Sequence, residues 1–202
     1  MNSTEILGDT SPLVLKLVLI GSGGVGKTSF HSRFFDKLFP KDQSTIGVDF
    51  KIQKIVKEGR ECKYQVWDPS GGERFKVITQ SYYRNARGLL IFVDLSIEAT
   101  IEEYIDNWML EIEKQSSDNV CKLLIGSKCD FPQKISDEAC EQYAQQYNMA
   151  YFKTSAKEDI NITEAMESIM EAVFQQAKYQ NFQNVHIQPK YTNFNEPANT
   201  CC

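Results

Sequence analysis

Gly21-Ser22-Gly23-Gly24-Val25-Gly26-Lys27-Thr28 follows the apolar run Leu13–Ile20 without a break and opens onto Ser29-Phe30-His31-Ser32-Arg33-Phe34-Phe35. The pattern is GxxxxGK[ST], set between a buried strand and a helix, which is where a phosphate-binding loop belongs. Glycines let the backbone curl until several N–H groups face one phosphate, and the positive end of the next helix adds to their field. Lys27 would place a point charge on the β- and γ-phosphates, and the Thr28 hydroxyl would ligate Mg²⁺. A plain glycine-rich turn has no need of Lys-Thr at this offset. The segment from Gly21 to Ser29 is therefore assigned to a nucleoside phosphate.

The 202 residues fit one domain and a tail. A hydrophobic content of 42% supports a proper core, and a net charge of −5 argues against nucleic acid as a partner. The polar start Met1-Asn2-Ser3-Thr4-Glu5 has no signal-peptide character, and Leu13–Ile20 is interrupted by Lys16 and too short to span a bilayer. Of the six cysteines, Cys62, Cys121, Cys129 and Cys140 lie in periodic segments without metal spacing and read as small apolar fillers in a reducing compartment. Cys201 and Cys202 end the chain.

Outward from the loop, residues 1–12 read as a flexible arm, Leu13–Ile20 as a strand, and the helix after the loop runs to about Lys37. Strands are expected at Val48–Val56 and Lys63–Trp67, joined by a turn at Glu58-Gly59-Arg60. Pro69-Ser70-Gly71-Gly72 is expected to hold no regular structure, with a helix restarting near Phe75 and reaching Tyr82-Tyr83. Gly88–Val93 is a continuous apolar run and hence a buried strand. Thr100 caps a helix with Ile101, Tyr104, Ile105, Trp108 and Ile112 on one face. A strand at Val120–Gly126, a helix from Ser136 to Tyr147 and a short strand at Ala150–Lys153 follow. Asn161-Ile162-Thr163-Glu164 is a capping pattern for the last helix. Alternation of this kind predicts an α/β fold: a doubly wound, mostly parallel six-stranded sheet with helices on both faces. The domain spans residues 13–178, and the Asn- and Gln-rich stretch 179–202 reads as a disordered tail.

Three more polar motifs fall at strand ends, where such sheets bind ligands. Asp68-Pro69-Ser70-Gly71 places Asp68 to hold a water on the metal, and the Gly71 N–H to approach the γ-phosphate. Ser127-Lys128-Cys129-Asp130 offers a carboxylate that accepts hydrogen bonds from N1–H and the 2-amino group of guanine. Adenine presents neither, so a buried carboxylate left unpaired rejects it. Lys128 would lay its stem over the base. In Thr154-Ser155-Ala156-Lys157 the Ala156 N–H could meet the guanine carbonyl.

In this order and spacing the motifs resemble those of a Ras-like small GTPase of the Rab family over about residues 13–178. Thr45-Ile46-Gly47-Val48-Asp49-Phe50-Lys51, Val66-Trp67-Asp68, Glu73-Arg74-Phe75, Tyr82-Tyr83-Arg84 and the terminal Cys-Cys carry the likeness. The resemblance implies a GTP-binding switch of vesicular traffic that hydrolyses GTP to GDP and recruits effectors in the GTP form. Thr45 would join Thr28 and Asp68 at Mg²⁺ and contact the γ-phosphate, so that losing that phosphate frees the loop. Lys27, Thr45, Gly71 and position 72 would form the catalytic set. Phe39 would pack on the guanine, with Ser127, Lys128, Asp130, Ser155, Ala156 and Lys157 around the base. Ile46, Gly47, Phe50, Trp67 and Tyr82 would face effectors. Cys201 and Cys202 would carry geranylgeranyl groups that anchor the chain to the cytoplasmic face of an intracellular vesicle or organelle membrane. An exchange factor, an activating protein and a prenyl-binding escort that holds a cytosolic pool complete the implied partners.

Three departures stand out. Where the family has Thr-Ala-Gly-Gln after the metal-site aspartate, this chain has Pro69-Ser70-Gly71-Gly72. The glutamine orients the attacking water, and Gly72 has no side chain to do so. Intrinsic hydrolysis is therefore expected to be low, although activating proteins of the family are thought to bring an arginine and a glutamine in trans. Ser127 stands where the family has Asn, at an expected cost of roughly 1–3 kcal/mol in nucleotide affinity. The tail lacks a basic cluster, Lys178 and Lys190 being its strong positive charges. Two rivals follow: a GTP-locked, effector-recruiting scaffold with negligible turnover, and a phosphate-loop kinase, for which a basic lid is missing.

Overall fold

The computed structural model describes residues 11–40, 45, 47–70, 83–115 and 119–186, with the backbone alone described for Gln115 and residues 181–186. In chain order the elements are β1 (Leu13–Ile20), α1 (Lys27–Asp36), β2 (Val48–Lys57), β3 (Arg60–Pro69), β4 (Gly88–Asp94), α2 (Ile101–Gln115), β5 (Cys121–Ser127), α3 (Asp137–Gln146), β6 (Ala150–Lys153) and α4 (Ile162–His186). The strands form one six-stranded sheet in the order β2-β3-β1-β4-β5-β6. Only the β2–β3 pair is antiparallel.

Alternation along β1 divides the core. Leu15, Leu17 and Leu19 point to a cluster with Phe30 of α1 and Met166, Ile169 and Val173 of α4. Val18 and Ile20 point the other way, to Ile105, Met109 and Ile112 of α2. All of β4 is buried, as its unbroken apolar run requires when helices cover both faces. None of the described helices is long and apolar enough to cross a membrane.

Local chemistry sets most boundaries. Thr100 Oγ1 accepts from the Glu103 N–H at 3.3 Å while the Glu103 carboxylate accepts from the Thr100 N–H at 3.0 Å, a reciprocal box that starts α2. Ser136 caps α3 by accepting from the Ala139 N–H. The cap expected at Asn161 acts differently. Its amide donates to the Lys153 carbonyl at 2.7 Å, pinning the start of α4 to the end of β6.

Other expectations need correction. The hairpin turn is Glu58-Gly59, with φ of 49° and 78°, which suits a two-residue connection, so β3 begins at Arg60 instead of Lys63. Pro69 belongs to β3 and pairs with Val48, while the Ser70 N–H donates to the Gly47 carbonyl at 2.9 Å. Proline is tolerated because the ladder ends there. Helix α4 continues past the expected end at 178 as far as His186, and no proline interrupts the chain before Pro189. The helix expected near Phe75 lies outside the described residues.

His31 of α1 is fully buried, with Nδ1 3.4 Å from the Asp49 carboxylate. Burial holds its pKa down at about 4, against the pull of Asp49. A neutral imidazole is thus favoured by the fold. This contribution is complete above the unfolded value of about 6.5 and is lost as pH falls towards 4, up to about 3 kcal/mol in all. Urea titrations between those pH values should show that slope, and His31→Leu should flatten it; equal slopes in the two chains would refute the assignment.

Candidate nucleotide-binding site

The parallel register that sets Val18 opposite Trp67 brings the end of β3 beside the start of the loop after β1. The ends of β5 and β6 lie further along the same sheet edge. Gly26 adopts a φ of 106°, a conformation that side chains resist, and turns the chain into α1. No side chain caps α1, so the positive end of the helix faces the curl of the loop. Buried Lys27 donates to the Gly21 and Ser22 carbonyls at 2.8 and 2.9 Å. Burial lowers its pKa to about 8, with Asp68 opposing.

Thr28 Oγ1 donates to Asp68 Oδ2 at 2.6 Å and also meets the Thr45 hydroxyl. Asp68 is fully buried, and its Oδ1 has no hydrogen-bond partner among the described residues. Burial raises its pKa to about 6, although the Thr28 hydrogen bond and Lys27 pull the other way. Two hydroxyls and a carboxylate with a spare buried oxygen form a hard donor set, which fits Mg²⁺.

A cavity of about 450 Å³ opens beside the loop. Gly24, Gly26, Ser29, Phe39, Ser127, Lys128, Asp130, Ala156 and Lys157, all anticipated from sequence, line it. Asp130 Oδ1 accepts from the Ser155 hydroxyl at 2.7 Å, which fixes the carboxylate. Among the described residues its Oδ2 is buried without a hydrogen bond, and Lys157 Nζ is 3.7 Å away. Lys128, at φ 61°, pairs with Asp94 at 2.6 Å. The Ser127 hydroxyl lies 2.6 Å from the Val25 carbonyl and 2.9 Å from that of Val93. The tie between the base loop and the phosphate loop is thus kept by the shorter side chain.

Three contributors escaped the sequence reading. Arg33 of α1 donates through Nε to the Ala156 carbonyl at 2.6 Å and through Nη2 to that of Lys157 at 3.1 Å. Asp94 anchors Lys128, and a carboxylate closing the apolar run of β4 was the available signal. Phe131 lines the cavity next to Asp130, with Lys157 Nζ 5.9 Å from its ring centre. An aromatic inside a polar loop was the hint.

Elsewhere, Phe50 and Trp67 pack with ring centres 4.6 Å apart and planes tilted by 48°, Phe50 being exposed. Gly47, at φ 86°, is also exposed. Ile46, Gly71, Gly72, Tyr82, Cys201 and Cys202 lie outside the described residues.

A phosphate loop at a parallel-sheet edge, a hard-oxygen cluster beside it and a carboxylate with an open acceptor in the adjoining cavity define a phosphate-loop nucleotide-binding protein. Residues 16–175 match the model of the Ras family. The chain is 43% identical to Ras-related protein Rab-13 of Rattus norvegicus over 159 residues, 77% of this chain and 78% of that protein. It is 43% identical to Ras-related protein Rab-8B of Dictyostelium discoideum over 155 residues, 75% and 76% of the two chains. GTP-binding protein YPTM1 of Zea mays is 40% identical over 163 residues, 79% and 78% of the two. The chain belongs to the Ras family, as a small GTPase of the Rab type: a GTP-binding switch of vesicle traffic, served by regulators and effectors and associated with intracellular membranes. Neither the inert scaffold nor the kinase is favoured by this kinship.

Proposed function

We propose that Asp130, Ser155, Lys128 and Ala156 read guanine, that Gly21 to Ser29 hold the phosphates, and that Thr28, Thr45 and Asp68 hold Mg²⁺. The observation that carries this reading is a pair of carboxylates, Asp68 and Asp130, each with one buried oxygen lacking a hydrogen bond among the described residues, at opposite ends of the site. Bound Mg²⁺ would neutralise phosphate charge as it develops. Lys27 would exchange its two loop carbonyls for phosphate oxygens, and the Thr45 loop would report on the γ-phosphate. Phe50 and Trp67, with Ile46, Gly47 and Tyr82, would present the effector surface. Geranylgeranyl groups on Cys201 and Cys202 would anchor the chain on the cytoplasmic membrane face, and an escort would shield them in the cytosol.

We further propose that intrinsic turnover is slow because Gly72 leaves the attacking water without an orienting side chain. Single-turnover phosphate release from the GTP- and Mg²⁺-loaded protein tests this. Gly72→Gln should accelerate release by about tenfold or more, positioning of a reacting water being worth at least that. If the variant releases phosphate no faster, Pro69 and Ser70 are the cause, and the reading of Gly72 fails.

Ser127 makes a second, smaller prediction. Because its hydroxyl already serves the phosphate loop, Ser127→Asn restores only the bond to the base. That is about 1 kcal/mol, or about fivefold slower nucleotide dissociation. Dissociation unchanged or faster, read with a fluorescent GDP, would show that the serine costs nothing.

A further inference from the structure

The outer face of the β2-β3-β1 end of the sheet carries an apolar stripe that no described element covers. Phe50, Ile52 and Val56 of β2 are 39%, 43% and 72% exposed, and Val14 of β1, in the next column but one, is 52% exposed. Lys54 stands exposed within the stripe without an ion pair among the described residues, and Lys63 beside it pairs with Glu61 at 3.3 Å. The opposite face at the same end is taken. There Ile55 packs on the core, Lys57 pairs with Glu171, and Glu58 pairs with Lys178 of α4 at 2.7 Å. These exposed apolar side chains, spaced by Lys54 on β2 and by Glu61, Lys63 and Gln65 on the strand between, offer an occupant both apolar and charged contacts.

We propose that the occupant is this chain's own N-terminal arm, residues 1–10. The arm leaves the domain at the foot of the stripe, where Arg60 Nε donates to the Ser11 carbonyl at 2.9 Å. Phe50 to Val56 is six steps of strand, about 20 Å, and ten extended residues reach about 33 Å, so the arm is long enough. Its composition matches: Ile6-Leu7 supplies the apolar pair, and Glu5 and Asp9 flank it with charge opposite to that of Lys54, which has no ion pair among the described residues. Laid upward from Ser11, the arm would bring Ile6-Leu7 over Val56 and Ile52, below Phe50 and Trp67. An effector that reads those rings therefore has to displace it to use the lower stripe. That consequence rests on the effector role given above, whereas the docking itself does not.

The test needs no effector. In the full chain loaded with GDP and Mg²⁺, methyl NMR follows Ile52 and Val56, with Leu19 and Ile125 as core controls. The double variant Ile6→Asp, Leu7→Asp should move the surface methyls and leave the controls in place. Lys54→Glu should move them likewise, and adding Glu5→Lys with Asp9→Lys should return them. Stationary surface methyls in the double variant overturn the proposal, as does failure of the charge exchange to return them. Movement on simple dilution of the parent chain also overturns it, since a second copy would then be the occupant.

Discussion

Asp130→Ala is expected to lower GTP affinity by about a thousandfold and to erase the preference for guanine over adenine. On the proposed reading the carboxylate accepts two hydrogen bonds from the base edge, each charge-assisted and worth about 1.5–3 kcal/mol. Losing both costs about 4 kcal/mol, which is about a thousandfold. The loss is compounded because Ser155, which donates to Asp130 Oδ1, is left without that acceptor. Competition titrations with GTP and ATP against a fluorescent nucleotide measure both effects. A variant within a few-fold of the parent, or one that still rejects ATP, would place base recognition elsewhere in the cavity.

Gly88→Val is expected to destabilise the domain by about 3 kcal/mol or more, the upper range for overpacking a core. Gly88 opens β4 in the middle of the sheet. A Cβ there would lie 2.6 Å from Leu17 Cδ2, 2.9 Å from Val173 Cγ2 and 3.1 Å from Ile169 Cγ1. Leu17 and Val173 are fully buried and Ile169 nearly so, and α4 sits directly on the strand. Relief requires α4 to lift, and α4 closes one of the two cores. Urea unfolding at fixed nucleotide and Mg²⁺ should show a lower midpoint with an unchanged slope, the fixed ligand preventing linkage from masking the loss. An unchanged midpoint would mean that α4 yields freely.

Legibility in the sequence followed the range of the forces involved. The phosphate loop, the buried strands and the cap at Thr100 depend on neighbours within a few residues, and the chain displays them openly. Asp68 and Asp130 were legible because each stands at or just past the carboxyl end of a strand, Asp68 in the last residues of β3 and Asp130 after β5. Arg33 was not: on α1 it looks like any exposed helix arginine, and its partners are carbonyls more than a hundred residues away. The grip of Ser127 on Val25 was also hidden. Serine is shorter than the asparagine of the family, and only the packed distance between β5 and the phosphate loop shows that its hydroxyl reaches. The start of β3 was placed late because Arg60, Glu61 and Cys62 have no strand-like alternation of their own. Their pairing with β2 is imposed by the two-residue turn.

The grip of Arg33 changes how unloading must proceed. One end of α1 starts at the phosphate loop, and its Arg33 holds the two carbonyls that follow Ser155. The helix is a stiff rod of about 15 Å, so a push on its phosphate end is transmitted to the loop beneath the base. A disturbance confined to the phosphate side would then be felt beneath the base as well, through this helix and its arginine.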